Sequence, residues 1–162
     1  MQVFIIGSPL DTAMCLDKKR LNKQIIECQQ ILKAIWGESK AWANHPCTIQ
    51  YREHETWLWY YYQTLAFYRD YLNNVSNQFG ELSIEDLNEA KIKSSIADIY
   101  MPNFHTEEYF KNMKKRLYTK DNEHYKQWKI LGESYENWYW VNNKWKIYKQ
   151  IKYNYAIRVD FW

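Results

Sequence analysis

The chain has 162 residues, the length of one domain with a buried core. Hydrophobic residues make up 46% and charged residues 25%, which favours a folded chain over a disordered one, and 30 aromatic residues (9 Trp, 15 Tyr, 6 Phe) are its one unusual number. The net charge of +3 divides into +2 over residues 1–45, −4 over residues 46–106 and +5 over residues 107–162, so both ends are basic and the middle is acidic.

The first element is a short apolar stretch, residues 2–6 (QVFII). Gly7-Ser8-Pro9 breaks it, and Asp11 is placed to cap a first turn. From Asp17 the pattern is helical: Leu21, Ile25, Cys28, Leu32 and Ile35 share one apolar face. Asp17 is a suitable N-cap and Gly37 a suitable stop after Trp36. The opposite face carries Arg20, Lys23, Gln24, Glu27 and Gln30. After a connection over 37–46, Pro46 fits a first helical position.

Residues 53–73 predict the longest helix, of about five to six turns. Aromatic residues run nearly all round it, which predicts a central, buried position. Asn73-Asn74 and Gly80 mark a loop, and Ser83 caps a weaker helix over 84–96. Thr106 caps a helix over 107–118 that has acids first and bases last, an order that suits the helix dipole. Asn142-Asn143, between the aromatic stretches of 138–148, is a hairpin signal. The expectation is an all-α, compact single-domain helical bundle over 1–162, with an irregular aromatic C-terminal region and room for a small β-hairpin.

Much chemistry is excluded by what these residues cannot build. Gly7, Gly37, Gly80 and Gly132 stand alone, so no glycine-rich phosphate loop forms. No apolar run approaches the roughly 20 residues of a membrane span, and residues 2–6 are too short for a signal peptide. Cys15, Cys28 and Cys47 are odd in number and lack CxxC spacing, which points to a reducing, cytoplasmic setting. His45, His54, His105 and His124 have no metal-binding spacing.

Three features remain as candidates. Glu27 sits one turn from Lys23 and two from Arg20, where a carboxylate flanked by cations could act as acid and base beside a phosphate; on the residues alone an ordinary Lys23–Glu27 pair worth about 0.3–0.5 kcal/mol is the simpler explanation. Lys114, Lys115, Arg116 and Lys120 form a basic edge suited to phosphates, or a solvated helix end. Trp138 and Trp140 suit a stacking platform for bases, or a strand that completes the core.

Three segments in order carry a family resemblance. Asp17-Lys18-Lys19-Arg20-Leu21-Asn22-Lys23-Gln24-Ile25-Ile26-Glu27 resembles the DxxRLxKQxxE segment of the pyrimidine-dimer DNA glycosylase family. Asn44-His45-Pro46 and residues 117–125 (LYTKDNEHY) are similar to that family's later NHP and LIRKDPEHY segments. The resemblance implies a metal-free and cofactor-free glycosylase/AP lyase acting as a monomer on damaged double-stranded DNA, away from membranes. It implies attack by the N-terminal α-amine on the deoxyribose C1′, a Schiff base, and strand nicking by β-elimination, with Glu27 assisting the proton transfers. An α-amine ordinarily titrates at about pH 7.7–8.0, so part of it is neutral near pH 7, unlike an ordinary Lys. Gln2 is large, so Met1 is expected to remain and to supply the amine. Arg20, Lys23, Gln24, His45, Lys114, Arg116, Lys120, Trp138 and Trp140 are then the DNA-contact candidates. A catalytically silent DNA-binding relative and a helical interaction protein are the alternatives.

Overall fold

The computed structural model describes residues 1–77, 84–131, 138–141, 144–150 and 156–160, with side chains over 1–75 and 84–131. Six α-helices lie in the order α1 (Pro9–Cys15), α2 (Lys18–Ile35), α3 (Pro46–Tyr51), α4 (Glu55–Asn77), α5 (Ile84–Ile99) and α6 (Glu107–Lys120). Short 3-10 turns at Arg52–His54 and Lys126–Leu131 extend the end of α3 and follow α6. Strands β1 (Trp138–Val141), β2 (Lys144–Gln150) and β3 (Ala156–Asp160) form an antiparallel sheet in that order. The fold is mainly helical, as the periodicity predicts.

The helix starts follow local chemistry. The Asp17 side chain accepts the Arg20 amide at the start of α2, and Thr106 accepts the Tyr109 amide at the start of α6. Gly37, at φ +76°, stops α2 in the left-handed conformation that Gly adopts without a Cβ penalty. Pro46 begins α3, and the His45 ring caps it by accepting the Cys47 amide at Nδ1. At α1 the cap is Ser8, not Asp11. Ser8 accepts the Asp11 amide, and the Asp11 carboxylate accepts the Ser8 amide in return. The signal is the Ser8-Pro9-Leu10-Asp11 spacing, a capping box with Asp in the place of Glu.

The long helix α4 packs against α1, α2 and α5. Its buried stripe is Trp57, Leu58, Tyr61, Thr64 and Leu65, whereas Trp59 is exposed. Aromatic residues therefore do not bury all round it; the i, i+4 stripe does. The Trp57 ring stacks between those of Tyr51 (centroids 5.3 Å) and Tyr61 (4.9 Å). Such ring pairs each contribute about 0.5–1.5 kcal/mol beyond the area they bury. His105 closes this cluster, with Nε2 at 3.0 Å from the Tyr51 hydroxyl. Burial, and after it the charge of His54, hold its pKa well below the usual imidazole range.

The hairpin signal corresponds to β1 and β2, paired with Val141 opposite Lys144 and Trp138 opposite Ile147. β3 is a further strand that the sequence pattern does not single out, and β1 lies against α3. The loop markers Gly80 and Ser83, the turn residues Asn142 and Asn143, and the side chains of Trp138 and Trp140 lie outside the described residues.

The connection between α2 and α3 holds the one bulky outlier among the described residues. Trp42 has φ +68°, a conformation that costs a residue with a large side chain about 1–3 kcal/mol. The connection is tied down on both sides of it. The His45 amide donates to the Trp42 carbonyl at 2.9 Å, the Ala41 amide to Ser39 Oγ at 3.2 Å, and Arg52 to the Ala43 carbonyl at 3.0 Å.

Candidate active site at the N-terminus

The apolar opening of the chain is neither a helix nor a strand of the sheet. Residues 2–5 run through the core, with Val3 and Ile5 fully buried and Gln2 and Phe4 nearly so. Buried backbone outside regular structure needs partners for its amides and carbonyls. Side chains of α1, α2 and α4 supply them. Gln24 accepts the Phe4 amide at 2.9 Å and donates to the Gln2 carbonyl at 3.1 Å, so one side-chain amide pairs with this segment as a neighbouring strand would. The Tyr61 hydroxyl donates to the Phe4 carbonyl, and the Ile6 amide donates to Thr12 Oγ1 at 3.1 Å. Gln2 is held from its side chain as well: it accepts from Arg116 at 2.5 Å and approaches Met113 Sδ at 3.6 Å.

The result is that the first peptide group meets Glu27. The Gln2 amide donates to Glu27 Oε2 at 3.3 Å. The Glu27 side chain keeps 14% of its surface, and Lys23 Nζ lies 3.8 Å from its other oxygen. A cavity of about 450 Å³ opens at this point. Met1, Gln2, Phe4, Gln24 and Glu27 line it; Lys19, Arg20, Lys23, Arg116 and Lys120 add five cations. Burial, then the charges of Arg116, Lys23 and Arg20, lower the pKa of Lys120, which shows how closely those cations crowd one another. Such a concentration of like charge attracts a polyanion.

Further positive charge is held back at His45, which is not part of the cavity wall. Burial, and secondly the N-terminal ammonium itself, push His45 down to about 4. Its ring is therefore neutral near pH 7, with Nδ1 occupied as an acceptor by the Cys47 amide. Cys47 is buried nearby; burial raises its thiol to about 12, against lowering contributions from Val3 and from the same ammonium. It is inert as a nucleophile.

The three sequence motifs converge on this place. Arg20 donates to Asp17 Oδ2 at 2.5 Å and to the Lys120 carbonyl at 2.7 Å, approaches Asp121 at 3.4 Å, and faces the Tyr125 ring. The Tyr125 hydroxyl donates to Asp17 Oδ2 at 2.8 Å. Burial alone would raise the pKa of Asp17; the bonds from Arg20 and Tyr125 overcome it and hold the carboxyl below its usual range. Asp17, Asp121 and Tyr125 thus orient Arg20 at the cavity rim, a role that the motifs conceal because Asp121 and Tyr125 are a hundred residues away in sequence.

Met1, Glu27, Arg20, Lys23, Gln24, Arg116 and Lys120 stand together at the cavity, and His45 lies outside its wall, within reach of the N-terminal charge. Gln24 departs from the polar face that helical spacing gives it: it is 1% exposed and engaged with residues 2–4. Lys114 is not part of the cavity wall; its charge acts on the half-buried Cys15, where it only partly offsets burial. Tyr61, Lys19 and Trp42 escape sequence reasoning. Tyr61 has no signal beyond its place in the apolar stripe, Lys19 is hidden in a run of cations, and the Trp42 ring stands edge-on to His45 at 5.5 Å. Among the described residues no cluster of His, Cys, Asp and Glu could hold a metal ion, and no helix is long and apolar enough to cross a membrane.

The fold and this site define a helical protein that carries its own N-terminus to the wall of a basic cavity. Residues 1–67 match the family model described as pyrimidine dimer DNA glycosylase, a match that spans the first two of the three motifs and supports the resemblance they carry. The matched segment includes Met1, Arg20, Gln24, Glu27 and His45. No curated protein and no solved structure matches the chain.

Proposed function

We propose that the protein is a DNA glycosylase/AP lyase whose nucleophile is the α-amine of Met1. The observation that carries this reading is Glu27 at 3.3 Å from the Gln2 amide nitrogen, on the wall of a cavity rimmed by five cations. In this reading Lys19, Arg20, Lys23, Arg116 and Lys120 take the phosphates on either side of a damaged nucleotide. A damaged site costs least to open, so the cavity admits the exposed sugar. The amine lone pair attacks C1′ as the glycosidic bond breaks and the base leaves with a proton. The nitrogen lone pair then expels O4′, which takes up a proton, so the sugar ring opens and the iminium forms between the protein and C1′. Glu27 then removes a proton from C2′, and the 3′ phosphate leaves by β-elimination. Water hydrolyses the imine and frees the amine. A neutral His45 spares the amine a further positive charge.

Borohydride reduction during incubation with an abasic or dimer-containing duplex tests the reading. The expected result is a covalent adduct that peptide mass spectrometry maps to Met1. Glu27→Gln should slow trapping at saturating DNA by about 10²-fold or more. A wild-type protein that gives no adduct, or a Glu27→Gln variant that traps at full rate, overturns it. The 3.8 Å contact of Lys23 with Glu27 favours a second reading, a silent DNA binder in which that carboxylate is only a partner for Lys23. Salt-dependent binding with no nicking is the outcome that selects it.

A further inference from the structure

Trp42 combines features that do not belong together in a residue kept for stability alone. Its backbone is in the left-handed region, at φ +68°, where Gly is at ease and an indole-bearing residue is not. The side chain remains 49% exposed, so burial returns little for the strain. The surrounding connection is nonetheless fixed, through the His45 amide, Ser39 Oγ and the Arg52 guanidinium. The fixed connection turns the ring onto His45, edge to face at 5.5 Å and 77°. His45 caps α3 through the Cys47 amide, and Cys47 in turn takes the Val3 amide two residues from the chain's start. A rigid, half-bare aromatic plane is thus presented beside the N-terminus.

We propose that Trp42 is a nucleobase-stacking residue, holding the base displaced from the duplex when the damaged nucleotide is opened at the cavity. The proposal rests on the reading of the cavity as a site for damaged DNA. An indole face stacks on any base, so this contact selects an unstacked base over a paired one rather than one base over another. The cations at the cavity hold the backbone, and Trp42 holds what the opened backbone exposes. This division explains why a strained aromatic sits apart from the basic rim.

The test pairs a stability measurement with a binding measurement. Trp42→Gly relieves the backbone, so its melting temperature should equal or exceed that of the wild type. Its affinity for a duplex with a tetrahydrofuran abasic analogue, read by fluorescence anisotropy, should fall by about 5-fold or more. Affinity for the same duplex undamaged should change less than twofold, and Trp42→Phe should keep most of the preference. A 2-aminopurine placed opposite the analogue should lose fluorescence on binding wild type but not Trp42→Gly. Binding by Trp42→Gly equal to wild type overturns the proposal. So does an equal loss on both duplexes, or a lowered melting temperature, since each marks a structural role. A wild-type protein that binds neither duplex removes the function reading itself, and the stacking role with it.

Discussion

Gln24 shows how much one side chain can decide. Its carboxamide is both donor and acceptor to a buried segment that no strand pairs with, at 3.1 Å and 2.9 Å. Gln24→Leu keeps the volume and removes both bonds. It leaves the Gln2 carbonyl and the Phe4 amide buried without these partners, at a cost of about 1–3 kcal/mol for a single such group. Urea denaturation should show a loss of at least that size. Gln24→Glu keeps an acceptor for Phe4 but buries a carboxylate against the Gln2 carbonyl, so its loss near pH 7 should be at least as large and should shrink as the carboxyl takes a proton. In an enzyme that uses the Met1 amine, both variants should also trap DNA more slowly at saturation with little change in affinity. A drop in affinity alone would mean that Gln24 does not serve to place the amine.

At the scale of elements, the helices are legible wherever local chemistry determines them. The face of Leu21, Ile25, Cys28 and Leu32, the Asp17 cap and the Gly37 stop all depend on neighbours within a few residues. The same holds for Pro46 and for Thr106. What cannot be read is what depends on distant partners. Residues 2–5 read only as a short apolar stretch, and they form a buried thread because Gln24 and Tyr61 take the place of a neighbouring strand. Gln24 looks polar by its position between Lys23 and Ile25, yet it is buried by that thread. Glu27 and the cations of α2 are legible as candidates, but Arg116 and Lys120 join them only through the packing of the fold. The locally encoded stop can be tested alone. A Cβ on Gly37 would meet no atom within 4 Å, so Gly37→Ala isolates the cost of φ +76°. That cost should be about 1–2 kcal/mol by thermal or urea unfolding, with no change in cavity chemistry. An Ala variant as stable as wild type would show that α2 can end equally well without the left-handed turn.

For the whole molecule, three imidazoles held neutral make stability depend on acid. Burial pushes His45 down to about 4, assisted by the N-terminal ammonium, and burial lowers His54 and, much further, His105. In the unfolded chain each takes a proton near pH 6.5. Between that pH and the folded value, the unfolded state binds more protons than the native one, so unfolding is favoured as pH falls. The contribution of these groups is complete above about pH 6.5. That of His45 is lost progressively down to about pH 4, and those of His54 and His105 are lost as pH falls through their own lowered values. Carboxylates give a different window: Asp17, with its pKa lowered, loses its contribution only below its unfolded value of 3.8. Melting temperature should therefore fall already between pH 6.5 and 5, before Asp17 begins to titrate. His45→Asn keeps a side chain able to cap α3 and removes the imidazole. Its melting curve should be flatter than wild type over this interval, while the steeper loss below pH 4 remains. An unchanged slope between pH 6.5 and 4 would mean that His45 titrates alike in the folded and unfolded chains, and that the ammonium does not act on it.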